Sequence, residues 1–378
     1  MSRDDASDNN LIQDSLFSSS DSQNYFSKPA IALPRFPTTR FQGSKRKILP
    51  ALFGSLLEID FDSSLDLFSG SGMVTLLLRQ MGKKVDSNDA QLFNVNTAKL
   101  FSNISTEELI SIDTSKLRDL LHSEPSNNKS YVAGHYKEIF FKHDENTQID
   151  NFAQNLVHLN ETERMVFIYA VGQSLLKKRP YNLFHRSNLS MRTKEVERSF
   201  GNAVTWETPI EVHAINAINE LRKFPFNPNI NRNSVFSQNT CDLEPLKNTY
   251  DLVYLDPPYI NSKGLGVDYS DFYGFLEGLC NYELFAQGDP NYPHKPILKK
   301  TSNWLNPVNA LNELEQISNK WKRSILFLSY RSDGLPTLEK MSNLLKSCGR
   351  KVSIHSAGEY KYALSKNSYN EEIFLIAE

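Results

Sequence analysis

Cysteine is scarce in this sequence: Cys241, Cys280 and Cys348 lie far apart and form no Cys-X-X-Cys pair. That spacing argues against a zinc cluster or a disulfide framework and makes a reducing cytoplasm the expected compartment. Long apolar runs are also missing, since none approaches the ~20 residues of a membrane span. The polar N-terminus has no signal-peptide core. Neither sign of charge dominates; the formal net charge is −2, so any surface for a polyanion must be local. No internal repeat is found. What is present is a chain of 378 residues, 39% hydrophobic and 23% charged, long enough for one large domain or two moderate ones.

Residues 1–35 are expected to form a disordered polar tail, with Ser18 to Ser22 its clearest low-complexity patch and a short helix near Leu11 to Phe17. Arg40-Phe41-Gln42-Gly43-Ser44-Lys45-Arg46-Lys47 then opens a helical pattern over Ile48 to Leu57. A Gly-Ser turn beside lysines can offer N–H groups to an anion, and equally fits an ordinary basic helix start. Leu65-Asp66-Leu67-Phe68-Ser69-Gly70-Ser71-Gly72 followed by a helix to Met81 reads as strand, glycine turn and helix. The third glycine of a dinucleotide fingerprint is absent, with Thr75 at that position. A second strand, Lys83 to Ser87, ends in Asn88-Asp89. An acid there suits the two hydroxyls of a ribose, or simply caps the next helix.

From 106 to 231 the strand-helix alternation stops and helical stretches such as Thr162 to Leu176 take over. This segment carries Lys177 to Arg192, in which Lys178, Arg179, Tyr181, Asn182, Arg186, Asn188 and Arg192 interleave charge, amides and rings. Such a run fits phosphate contact and base-edge readout, and also fits a solvated charged face. Alternation resumes with Val235-Phe236 and Thr240 to Asp242. Next come the apolar run Leu252 to Leu255 and the tetrapeptide Asp256-Pro257-Pro258-Tyr259. Two prolines force the chain out of a sheet, bringing a carboxylate, an unpaired carbonyl and a ring into one small space. That set suits a planar molecule with an exocyclic amino group. Gly264 to Leu276 reads as a glycine-entered aromatic loop over a site, though Phe272, Phe275 and Leu276 fit a core equally well. Strands at Ser324 to Tyr330, Lys351 to Ser356 and Glu372 to Ala377, with a helix over Pro336 to Cys348, complete the pattern.

Phe41-Gln-Gly-Ser-Lys45, Asp66 to Gly72, Asn88-Asp89 and Asp256 to Tyr259, in that order, resemble a DNA adenine-N6 methyltransferase of the Dam-type (alpha) group. Tyr181 to Arg192 with Phe200-Gly201 resembles the segment that group uses on DNA. The resemblance implies an α/β fold: a Rossmann-like class I methyltransferase sheet, mainly parallel with an antiparallel C-terminal edge, plus an inserted helical target-recognition region. The expected divisions are 36–105 and 232–378 for the catalytic halves and 106–231 for the insertion. It implies S-adenosylmethionine as donor, with Phe68, Gly70 and Gly72 at its methionine end and Asp66 at its amino group. Asp89 would take the ribose, Asp242 the cofactor adenine, and Phe41 and Lys45 would close the site. Asp256 to Tyr259 would be catalytic on a flipped adenine, with no metal. Double-stranded DNA is the implied partner, with a cognate restriction endonuclease possible and no obligate protein partner evident. Cytosine N4, RNA or protein as acceptor, and a binding protein that has lost catalysis, are the rival readings; Asp256, rather than Ser, at the head of the tetrapeptide favours adenine over cytosine.

Overall fold

The apolar run that precedes the double proline is buried on both faces, and this fixes the architecture. In the computed structural model, which describes residues 33–185, 189–194, 202–228, 233–238, 249–261, 264, 266, 268–297, 302–359 and 371–378, nine strands occur among the described residues. In chain order they are β1 (Ser63–Asp66), β2 (Lys84–Asn88), β3 (Val235–Phe236), β4 (Leu252–Leu255), β5 (Ile260–Asn261), β6 (Ile325–Arg331), β7 (Gly334–Leu335), β8 (Val352–Glu359) and β9 (Glu371–Ala377). Seven form one sheet in the order β3-β2-β1-β4-β6-β9-β8, and β5 pairs with β7 in a separate ribbon. The pairs from β3 through β6 are parallel, whereas β9 runs antiparallel to both β6 and β8. The expected mainly parallel sheet with an antiparallel edge is therefore present, with the reversed strand second from the edge.

Strand alternation sorts the core into two layers. Leu252 and Tyr254 of β4 belong to one apolar cluster, with the helices Leu49–Leu57, Met73–Gln80 and Leu92–Asn103. Val253 and Leu255 belong to the other, with helices Pro307–Lys320 and Leu338–Ser347. Helix Met73–Gln80 is buried along nearly its whole length, because it is wedged between the sheet and the helices beyond it.

The 106–231 segment is helical where described, and its longest helix, Glu161–Lys177, lies directly on Leu92–Asn103. Gly172 faces the Phe93 ring so closely that no Cβ fits between them. Tyr169 meets Phe101 edge-on at 5.4 Å. Residues 36–105 and the middle segment contribute to one apolar core. The tail expected over 1–35, with its short helix, falls almost wholly outside the described residues, as do Asp242, Arg186 and Asn188. Among the described residues no helix is long and apolar enough to cross a membrane.

Candidate active site

The strand order reverses between β1 and β4, and a cleft opens at the carboxyl ends of β1, β2 and β4, where open α/β sheets bind ligands. It encloses about 1210 Å³ including its open mouth, more than a single planar base would fill. Phe41, Lys45, Phe68, Gly70, Asp89, Asp256 and Pro258 all line it. Residues far apart in sequence thus meet in one place, as the order of motifs suggested.

The glycine turn is latched to the second strand. Asp89 Oδ2 accepts from Gly70 N at 2.8 Å, while Oδ1 accepts from Gln91 N at 2.9 Å and from Asn94 Nδ2 at 3.2 Å. Burial pushes the Asp89 carboxyl up, against these hydrogen bonds pulling it down. Gly70 sits at φ +48°, and a Cβ there would project into the gap between the Phe41 ring and the Phe68 carbonyl, 3.9 Å from each. Gly72 has a different reason to be glycine. It caps helix Met73–Gln80 at φ +70°, and a Cβ would come within 2.7 Å of Phe101.

One expected cofactor contact, that of Asp66, is corrected by position. Asp66 does not line the cleft. It is completely buried behind the glycine turn, where Oδ2 accepts from Thr75 Oγ1 at 2.7 Å. Its Oδ1 has no partner among the described residues, and burial pushes its carboxyl up to about 7. Lys45 lines the cleft and is also paired with two carboxylates: its Nζ lies 2.8 Å from Asp256 Oδ1 and 2.8 Å from Glu372 Oε1.

At the end of β4 the prolines turn the chain from the sheet into β5, and Asp256 is left at the cleft wall. Burial raises its carboxyl to about 6, with Lys45 pulling down and Glu372 pushing up. Pro257 is buried, and Pro258 forms part of the cleft wall. The Tyr259 ring meets Tyr330 edge-on at 6.2 Å and carries the Arg331 guanidinium 5.1 Å from its centroid. The aromatic loop does fold over the site. Tyr273 stacks on Phe41 at 4.0 Å and its hydroxyl accepts from Gln42 N at 2.7 Å, while Tyr269 lines the cleft beside them. Phe275 and Leu276 are core residues, and Phe272 packs against that core half-buried.

The basic cluster divides sharply, which corrects the expectation for three of its members. Lys178, Arg179 and Arg192 are at most 2% exposed. Arg192 forks onto Glu145 at 2.8 and 2.9 Å, Lys178 pairs with the same carboxylate at 3.0 Å, and Arg179 Nη1 donates to the Phe140 carbonyl at 2.9 Å. They hold the insertion together and offer a phosphate no surface. Tyr181 is the opposite case: it is 65% exposed, with Asn182 beside it, both at positive φ, and Gln42 Nε2 donates to its carbonyl.

Sequence reasoning missed Glu372 and Glu277. Glu277 accepts from Leu92 N and Phe93 N, so it caps the helix that follows Asp89 from across the cleft. The period of β9 carried a signal for Glu372, since it shares the face of Phe374, a core residue. Nothing local marks Glu277.

Residues 41–275 match the family model for D12 class N6 adenine-specific DNA methyltransferases. The chain is 25% identical to the Type II methyltransferase M2.HphI of Haemophilus parahaemolyticus, over 91% of this chain and 98% of that one. It is 24% identical to the modification methylase StsI of Streptococcus sanguinis, over 89% of this chain and 50% of that one. A model matched across more than half the chain, on a fold whose cleft gathers Asp256 and Pro258 with the glycine turn from Phe68 to Ser71, makes this chain a member of the D12 class of N6 adenine-specific DNA methyltransferases.

Proposed function

We propose that the chain transfers the methyl group of S-adenosylmethionine to N6 of an adenine flipped out of double-stranded DNA, as the modification enzyme of a restriction-modification system. The observation that carries this reading is one cleft holding both a strand-end carboxylate, Asp256, and a glycine turn latched to a second strand-end acid, Asp89. The residues present fit a nucleoside sulfonium. Asp89 offers a carboxylate for a ribose, Phe41 and Phe68 offer apolar walls, and the space a Gly70 side chain would fill lies between the Phe41 ring and the Phe68 carbonyl. Asp242 is assigned the adenine of that cofactor by its place ahead of β4. When bound, S-adenosylmethionine supplies a methyl group already activated by its sulfonium.

The protein's own work is on the amine. Inside a duplex N6 is inaccessible, and extruding the base costs a few kcal/mol. The N6 lone pair is delocalised into the ring. Asp256 and the Pro257 carbonyl, as acceptors for the two N6 hydrogens, draw that nitrogen toward tetrahedral geometry and localise the pair. Lys45 holds Asp256 by Oδ1, which fixes the carboxylate plane and leaves Oδ2 for the base. Tyr259 gives a stacking surface worth about 1–3 kcal/mol, its plane set by Tyr330 and Arg331. Tyr181, Asn182, Arg186 and Asn188 are assigned to DNA, and a cognate endonuclease is expected to read the same site.

The names of both relatives support the modification role. The test is to express the chain in a host without adenine methylation and sequence its DNA for modified bases. N6-methyladenine at one recurrent motif is expected. Methylated cytosine, or no modified base with folded protein present, overturns the reading.

A further inference from the structure

Glu372 is a fully buried carboxylate on β9. It accepts a hydrogen bond from Ser329 Oγ of β6 and pairs with Lys45 Nζ at 2.8 Å. The same Nζ lies 2.8 Å from Asp256 Oδ1, so one cation, itself 5% exposed, serves two carboxylates. Strand period explains the meeting. Asp256 continues the face of Leu252 and Tyr254, Ser329 that of Phe327, and Glu372 that of Phe374, so all three look toward the side from which Lys45 enters.

Stability alone does not ask for Glu372. Asp256 by itself would neutralise Lys45, and a second carboxylate leaves the ionised trio with an unbalanced negative charge where such charge is costly. The catalytic carboxylate, however, has a conflicting need. It must be held in place, yet remain a strong acceptor for N6 hydrogens, and an ammonium paired with it alone would drain that strength.

We infer that Glu372 is a positioning residue for methyl transfer: by sharing Lys45, it keeps Asp256 anchored through one oxygen without surrendering its acceptor strength. This rests on the functional reading above. Among the described residues, the other titratable groups facing Asp256 are Asp66 from β1, Tyr254 from β4 and Tyr269 from the overlying loop, while Tyr259 faces Lys45, Arg331 and Glu372.

The test uses the full chain and a duplex carrying its motif, with transfer measured across pH for wild type, Glu372→Gln and Ser329→Ala. Glutamine keeps the shape and an acceptor for Lys45 but removes the charge. The expected result for Glu372→Gln is a kcat lowered roughly ten- to a hundredfold, KM for DNA and donor within about twofold, and an acid limb moved to lower pH. Ser329→Ala shifts kcat and the limb in the same directions by less. An active wild type with an unshifted limb and unchanged kcat in Glu372→Gln overturns the inference alone. So does a Glu372→Gln that fails to fold while Ser329→Ala keeps the wild-type profile. A wild type that transfers nothing to adenine overturns the functional reading, and this inference with it.

Discussion

The hydroxyl of Tyr269 sits over the backbone of Gly43, in the space a Cβ would occupy. Gly43 also holds φ +76°, a conformation costing other residues about 1–2 kcal/mol. Gly43→Ala is therefore expected to lower stability by about that amount and to lift Tyr269 off the cleft. Chemical denaturation checks the first, and donor binding by calorimetry checks the second. Unchanged values in both would show that the turn tolerates a side chain.

Asp256→Asn replaces an acceptor by an amide that must share its place with the Lys45 ammonium. Transfer should fall by at least roughly a hundredfold, with circular dichroism and donor affinity retained. In the wild type, the carboxyl is raised to about 6. The rate should therefore fall as pH drops through about 6, where the acceptor becomes protonated. A profile flat down to pH 5 would sink this assignment.

Asp66 bears on stability and has a definite sign. Its folded carboxyl is raised to about 7, so the native state binds its proton more tightly than the unfolded chain. Stability from this group is present at low pH and is lost as pH climbs from the ordinary carboxylate range through about 7. Asp66→Asn keeps an acceptor for Thr75 and removes that loss. It should be more stable than wild type at pH 8 by on the order of a few kcal/mol, with the difference shrinking toward pH 4, as followed by denaturant midpoints.

Arg192→Ala should act on folding, because it strips Glu145 of its forked partner inside the insertion. A loss of about 3–5 kcal/mol is expected, measured by urea unfolding, and the salt slope of DNA binding should not change in variants that remain folded. Arg186→Ala is expected to do the reverse, weakening DNA binding and lowering the salt slope by about one.

The contrast between those two arginines shows where sequence reasoning stops. The glycine turn, Asp89 and the tetrapeptide are legible because each is punctuated by glycine, proline or a strand end, and backbone chemistry is local. Element positions in the sheet are legible for the same reason; the Met73–Gln80 helix and β6 fall within a residue or two of expectation. Burial of a charge is not local. Lys178, Arg179 and Arg192 look like a phosphate-binding run until Glu145, more than thirty residues upstream, arrives to pair with two of them. Asp66 looks like a ligand because it adjoins one, yet strand period turns it toward Thr75. Glu372 needed the pairing of β6 with β9 to bring it to Lys45.

The close seat of Phe93 against Gly172 bears on how this protein can be rebuilt. The helix carrying Phe93 begins three residues after Asp89, so the ground on which the 106–231 segment rests is also the ground beneath the acid that follows β2. Exchanging the insertion with that of a relative would transplant half of an interlocked surface. A working chimera has to bring along Leu92–Asn103, and with it the footing of Asp89, so under the proposed function target choice and donor affinity are inherited together.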